Sequence, residues 1–370
     1  MSKTKSSVKI FLLLLFLYFF LVSIKLLGHG FKVFGAGYAE QIVQATSNPL
    51  VAVSIGLLAT ALMQSSSTTT SIIVGLVAGG LLPIETAIFM VMGANIGTTV
   101  TNTLVSLGHV LRKVEFRRAF AGSTVHDFFN FLAVAVLLPV EFFFHPIKIG
   151  ASFLSEFFST VGGFEFISPL KIILNPAVKI VSSAVGENII AIVFIALVIM
   201  FVSLYLLVKT MKSLVLGKIE VFLDEYLFKT ALTSFCIGVV LTAVVQSSSI
   251  TTSVVVPLLG AGVISLRKVF PYALGANVGT TITALLASLA TGSVAALTVA
   301  FGHLLFNIFG IIIFYPLREI PISLAEKMGE IAYNSRFVAF VYIALVFIII
   351  PIIIILLFDL HIVLGLFGGF

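Results

Sequence analysis

Apolar runs near twenty residues long recur from one end of the chain to the other, separated by short clusters of basic, acidic and turn-forming residues. A helix rises about 1.5 Å per residue, so about 20 apolar residues cross a hydrocarbon core of about 30 Å. Seven runs predict such helices: 10–28, 86–107, 119–143, 189–208, 269–290, 296–316 and 337–358. Two further regions, 50–82 and 230–265, read differently. In each, two apolar stretches of about 15 residues flank a polar run, Gln64–Ser71 in the first and Gln246–Ser253 in the second. Neither stretch is long enough to cross as helix. The pattern predicts a re-entrant hairpin: one half-helix in, a polar turn at mid-depth, one half-helix out. Irregular backbone at that depth is tolerated only when buried in protein or lining a wet cavity.

The pattern also repeats. Gly56–Leu107, with Gln64-Ser65-Ser66-Ser67 and Gly93-Ala94-Asn95-Ile96-Gly97-Thr98-Thr99, recurs without a gap at Gly238–Leu289. There it reads Gln246-Ser247-Ser248-Ser249 and Gly275-Ala276-Asn277-Val278-Gly279-Thr280-Thr281, at an offset of 182 with 23 of 52 positions identical. His126, Asn130 and Pro139 recur as His303, Asn307 and Pro316 at an offset of 177. The chain therefore divides into 1–185, 186–358 and a tail, 359–370. With three crossings and one hairpin per half, the second half enters from the opposite face. The predicted fold is an all-α polytopic membrane protein of two inverted-topology repeats. Each repeat carries a re-entrant helical hairpin and a transmembrane helix broken at its paired glycines.

Composition strengthens this reading. Of 370 residues, 60% are hydrophobic and 10% charged, against roughly 25% charged in soluble domains. So few charges cannot cover a soluble surface. The net charge of +6 suggests nucleic acid until the charges are placed. With the N-terminus cytoplasmic, 16 of the 21 Lys and Arg fall inside, and Lys25, Lys32, Lys148, Lys171 and Lys179 fall at the outer face. Basic character is then orientation. Lys3, Lys5 and Lys9 before an apolar run imitate a signal peptide, but the run is too long and lacks a cleavage site, which predicts a retained helix. The lone Cys236 excludes an internal disulfide and reads as a small packing residue.

Inverted repeats with paired broken helices point to a transporter with its site where the hairpin tips meet. Gln64, Ser65, Ser66 and Ser67, with Gln246, Ser247, Ser248 and Ser249, offer amides, hydroxyls and helix-start N–H groups without fixed charge, a setting for an anion. The alternative is Ser and Thr merely satisfying one another in helix packing. The neutral oxygens of Asn95, Thr98, Thr99, Asn277, Thr280 and Thr281, joined by Thr69, Thr70, Thr251 and Thr252 beside the serines, suit a hard monovalent cation. Here the alternative is a glycine-mediated helix crossing. Asp127 is an intramembrane acid, able to attract a cation or relay a proton, and the second half has Leu304 in its place. His126/Asn130 and His303/Asn307 share helix faces at i, i+4 and read first as hydrogen bonds between helices, then as ligands. No residue set suggests a hydrolase or a nucleotide-phosphate loop.

At these residues the sequence resembles the type II sodium–phosphate cotransporter family. The match rests on both QSSS motifs, both GAN-x-GTT motifs and Phe116-Arg117-Arg118-Ala119-Phe120-Ala121-Gly122 running on to His126-Asp127 and Asn130. It implies sodium-driven import of inorganic phosphate by alternating access, with the hairpin tips as the transport site. Na+ would be the coupling ion, without an organic cofactor. The partners would be phosphate, sodium ions and the lipid bilayer of a plasma or inner membrane, with no nucleic acid. Oligomeric state stays open, a homodimer included. No long disulfide-bearing loop separates the halves and no regulatory domain follows them, which suggests a minimal bacterial carrier. A passive anion channel, or a sodium-coupled carrier of another oxyanion or a carboxylate, would use the same chemistry.

Overall fold

The structure, a computed structural model, describes residues 3–33, 46–161, 169–186, 188–225 and 230–358; the tail 359–370 lies outside them. Among the described residues every regular element is helical. The first half comprises α1 (Lys3–Val33), α2 (Pro49–Met63), α3 (Ser66–Ala78), α4 (Ile84–Thr98), α5 (Val100–Ser106), a short 3₁₀ turn (Leu107–His109), α6 (Lys113–Phe144), α7 (Pro146–Val161) and α8 (Pro169–Val185). The second comprises α9 (Ile189–Glu225), α10 (Ala231–Val245), α11 (Ser248–Ser253), α12 (Val255–Ala261), α13 (Leu266–Thr291), α14 (Val294–Phe314) and α15 (Glu319–Asn334). The last helix runs as α16 (Phe337–Ala344), a π-helical turn (Leu345–Ile349) and α17 (Ile350–Phe358). Pro351 has no N–H to offer the Phe347 carbonyl, and the widened π turn lies where that bond is missing.

Among the described residues, seven helical stretches are long and apolar enough to span a membrane: 8–31, 84–109, 113–144, 189–210, 266–291, 294–314 and 337–358. They match the seven runs read from the sequence to within a few residues, and the protein is a multi-pass membrane protein. The shorter apolar helices α2, α3 and α10, and the α11–α12 segment, fall where the two hairpins were expected. Three amphipathic helices, α7, α8 and α15, do not stand out as apolar runs. Glu141, buried in α6, accepts the backbone N–H groups of Ile147 (2.7 Å) and Lys148 (3.0 Å) and so caps the start of α7. It is a second buried carboxylate beside Asp127.

The same helix pairings occur in both halves. α2 packs on α4 as α10 packs on α13, α1 lies along α9, and α3 reaches α13. What permits the first of these pairings is glycine. A Cβ built on Gly93 would lie 1.9 Å from the Val53 carbonyl oxygen, and one on Gly56 would lie 1.9 Å from that of Met90. The second copy repeats this at Gly275 against Phe235 (2.1 Å) and Gly238 against Tyr272 (2.3 Å). Backbone therefore meets backbone. This corrects the expectation that the paired glycines open the helix: α13 runs unbroken through Gly275 and Gly279, and α4 runs unbroken through Gly93 and Gly97 to an interruption at Thr99. The glycine-mediated crossing is what the structure contains. Cys236 is corrected too; it is exposed on α10, facing away from the packed interior.

Ion pairs sort the charges to two ends. Arg267 meets Glu319 (2.8 Å) and Glu326 (3.3 Å), and Arg117 meets Glu330 (2.7 Å), both arginines being among the bases that the charge argument puts on the inner face. Hydrogen bonding to Arg267 holds the Glu319 carboxyl below its usual range. Lys148 pairs with Glu85 at the opposite end.

Gly93→Ala should destabilise the purified protein by about 1–3 kcal/mol, because the methyl group has only backbone to displace. Gly108→Ala, with nothing within 4 Å of the new atom, should stay within about 0.5 kcal/mol. Thermal unfolding in detergent compares the two.

Candidate functional site

The site begins at two sharp turns. Gln64 (φ 52°, ψ 29°) and Gln246 (φ 59°, ψ 25°) end α2 and α10 in the left-handed region. Non-glycine residues seldom sit there, and when they do the surrounding structure must hold them. Beyond the turn, Thr60 donates to the Thr69 hydroxyl at 2.9 Å. Nine residues along a continuous helix would separate them by about 13.5 Å, so the chain folds back between them. The turn is shorter than the polar run: only Gln64 and Ser65, or Gln246 and Ser247, lie outside helix, and the remaining serines form the first turn of α3 or α11.

Ser65 and Ser247 are the N-caps. Ser65 accepts the Thr68 N–H at 3.2 Å and Ser247 accepts that of Ile250 at 3.4 Å. Capping satisfies one orphan donor per helix and leaves the N–H groups of the first two residues without an intrahelical acceptor. Those residues are Ser66 and Ser67 in α3, and Ser248 and Ser249 in α11. The hydroxyls of Ser66 and Ser248, both buried residues, have no hydrogen-bond partner among the described residues. They occupy equivalent positions 182 apart.

The threonines are arranged in the opposite sense. Thr70 and Thr252 donate to the carbonyls of Ser66 (2.8 Å) and Ser248 (2.7 Å), and Thr69 and Thr251 to those of Ser65 (3.1 Å) and Ser247 (2.8 Å). Thr98, Thr99, Thr280 and Thr281 likewise donate to carbonyls of their own helices at 2.7–3.0 Å. A hydroxyl has one proton. With it donated to the helix, the oxygen presents only lone pairs, as a cation requires.

The two halves touch at these turns. Ser67 donates to the Gln246 carbonyl at 3.1 Å, Ser249 to that of Thr98 at 3.3 Å, and the Asn102 amide to the Thr252 hydroxyl at 2.7 Å. Beside them runs a buried network across the halves. His126 Nε2 meets Asn277 Oδ1 at 2.6 Å, Asn277 donates to Asn130 Oδ1 at 2.8 Å, and Asn130 donates to the Asn95 carbonyl at 2.9 Å. From the other side His303 Nε2 reaches Asn95 Oδ1 at 3.4 Å. The histidines are thus hydrogen-bond partners between helices, and the partners are the motif asparagines of the opposite half. Asn307 joins no such link; its amide bonds to its own helix at the His303 carbonyl.

The halves also differ. Gln246 is buried and its Oε1 accepts the Thr283 hydroxyl at 2.8 Å. Gln64 is exposed, and the hydroxyl of Thr101, the counterpart of Thr283, is buried without a partner. Asp127 is fully buried. Its Oδ2 accepts Tyr342 at 2.8 Å and Thr103 at 3.3 Å, while its Oδ1 has no partner. Sequence reading missed Asn102, Thr283 and Tyr342. Thr283 was within reach, since it is identical in both copies; a lone tyrosine in an apolar run gives no periodic signal.

Comparison with known proteins decides the family. The family model described as Na+/Pi-cotransporter matches residues 19–163 and 199–314. The chain belongs to the Na+/Pi-cotransporter family. Relatives of this cotransporter family include sodium-dependent phosphate transport protein 2B of Homo sapiens, 32% identical over 93% of this chain and 64% of the relative. Protein 2A of Rattus norvegicus is 33% identical over 93% of this chain and 66% of the relative. The chain thus spans about two thirds of the length of these relatives. No solved structure matches it. The resemblance read from the QSSS and GAN-x-GTT motifs is borne out at the level of family.

Because Asn277 answers to two partners in the opposite half, Asn277→Ala should cost about 2–4 kcal/mol by stranding His126 and Asn130. Asn307→Ala should cost less than about 1 kcal/mol. Thermal unfolding without substrate measures both.

Proposed function

We propose that this protein is a sodium-coupled importer of inorganic phosphate working by alternating access, and not an enzyme. The observation that carries the reading is the pair of unpartnered hydroxyls, Ser66 and Ser248, each in the first turn of a helix whose neighbouring turn touches the other half. Helix-start N–H groups and the positive end of the helix dipole favour an anion there. Gln64, Ser65 and Ser67, with Gln246, Ser247 and Ser249, complete the anion's surroundings. Among these residues there is no fixed positive charge.

An anion of more than one negative charge is costly to hold in such a place unless cations accompany it. Threonine oxygens whose protons are directed at helix carbonyls, at 69, 70, 98, 99, 251, 252, 280 and 281, are the sodium ligands in this reading. Asn95 and Asn277 contribute less directly, since each side-chain oxygen already accepts from a histidine. Asp127 supplies a negative charge on the ion path. Coupling then follows because neither ion is well held alone. The relatives' names, sodium-dependent phosphate transport proteins 2A and 2B, support the same pair of substrates.

Alternating access is supported by the chemistry of the halves: matched Gln and Thr residues are bonded in one copy and apart in the other, as expected of an inverted repeat caught in one of two states. In this reading the folded-back helix pairs are re-entrant, the N-terminus is cytoplasmic and the membrane is the plasma or inner membrane.

Labelled phosphate uptake into proteoliposomes tests the proposal. An inward sodium gradient should drive accumulation above equilibrium, and choline should abolish it; downhill flux indifferent to sodium would instead mark a passive channel. Excess sulfate should compete weakly and arsenate well, while a carboxylate that displaced phosphate would reassign the substrate. Ser66→Ala and Ser248→Ala should each raise the phosphate half-saturation about tenfold, in line with the loss of one hydrogen bond to a charged group.

A further inference from the structure

We propose that Tyr342 is a positioning residue for the ion-binding step: its hydroxyl fixes the Asp127 carboxylate so that Oδ1 faces the incoming sodium ion. The inference rests on the reading above that Asp127 lies on the ion path. An ionised carboxylate has two oxygens to satisfy, and leaving one bare in an apolar interior is costly. Here the load is divided unequally. Oδ2 takes both donors, Tyr342 at 2.8 Å and Thr103 at 3.3 Å, and Oδ1 is buried with none.

Torsion about the bond to a carboxylate is broad and roughly two-fold. Something outside the residue must therefore choose its plane. The Thr99 side chain also acts on this carboxylate, but its hydroxyl donates to the Ile96 carbonyl at 2.8 Å. Thr103, at the longer distance and bonded also to the Thr99 carbonyl at 3.2 Å, is a weaker guide than Tyr342. Tyr342 is itself held. Its ring stands edge-on to Phe120 at 6.0 Å and to Phe347 at 6.1 Å. It also arrives from an unexpected quarter. The last helix lies beyond both stretches that match the family model, 19–163 and 199–314. The second half carries Leu304 where the first has Asp127, so the helix serves one half only. Three residues after Tyr342 the π-helical turn Leu345–Ile349 begins. Such turns are frequent at functional sites, because the inserted residue re-aims the side chains beside it.

The experiment compares wild type, Tyr342→Phe, Asp127→Asn, the double variant and Phe347→Leu. In proteoliposomes, Tyr342→Phe should raise the sodium concentration for half-maximal phosphate uptake about three- to tenfold, the scale of one lost hydrogen bond to a charged group. The phosphate half-saturation at saturating sodium should not move. Phe347→Leu, which disturbs the packing of the ring and leaves the hydroxyl, should keep the wild-type sodium dependence. A second measurement needs no turnover: the rise in melting temperature of the purified protein in sodium over choline. That rise should be the same for Asp127→Asn with and without Tyr342→Phe, since the tyrosine acts through the carboxylate. An unchanged sodium half-saturation in Tyr342→Phe, or a further loss of the sodium-dependent rise in the double variant, would overturn the assignment. A wild-type protein whose uptake ignored sodium would sink the transport reading itself, and this inference with it.

Discussion

Inside an apolar bundle a polar group has no water to turn to, and the rest of this structure follows from how that constraint is met. The two halves satisfy each other. Asn277 is held by His126 and Asn130 of the first half, and Asn95 by His303 of the second, with Asn130 also closing on the Asn95 backbone. Left alone, either half would bury unanswered amides and imidazoles at a cost of several kcal/mol. The centre of the molecule is therefore a shared surface, with polar groups contributed from both sides. What stays unanswered is equally informative, and includes the Ser66 and Ser248 hydroxyls, one oxygen of Asp127, the Nδ1 atoms of His126 and His303, the Asn307 side-chain oxygen and the Thr101 hydroxyl.

Close approach makes this possible. The glycines at 56 and 93, and again at 238 and 275, bring the first helix of each folded-back pair against the motif helix with carbonyl oxygens at the distance a side chain would occupy. Their removal of bulk lets the two backbones meet, and the motif helix runs unbroken through its paired glycines where a weakened one was expected. The exception, the interruption at Thr99, lies one turn from Thr103 and so beside Asp127.

Much of the fold could be read in advance because hydrocarbon thickness enforces a length, and a length is visible in a sequence. The seven spans needed nothing else. The folded-back pairs were legible from the shortness of their apolar stretches and their repetition. Less visible was how little of the polar run is turn: serine is equally at home as a loop residue, an N-cap and a first-turn residue, so the run Gln64–Ser71 could not show where helix resumes. The amphipathic helices α7, α8 and α15 mix polar and apolar positions over 16 or 17 residues, too short and too mixed to register as spans. In the candidate site, i, i+4 spacing showed that His126 and Asn130 share a face. It could not show that the face meets Asn277, because partners 151 and 147 residues apart are set by packing. Tyr342, drawn to Asp127 from 215 residues away, left no trace in any local pattern.

One difference between the copies bears on how stiff each is. Where the first half has Gly75, the second has Pro257, and a proline cannot complete the bond to the carbonyl four residues back, here that of Ser253. The helix after the second turn is accordingly cut at Val254 into α11 and α12, while α3 runs whole. A whole helix behaves as a lever and carries displacement from its tip to its far end; a cut one behaves as a wrist, letting the tip tilt while the forearm stays seated against α6. The two tips, alike in chemistry, are unequal as machine parts.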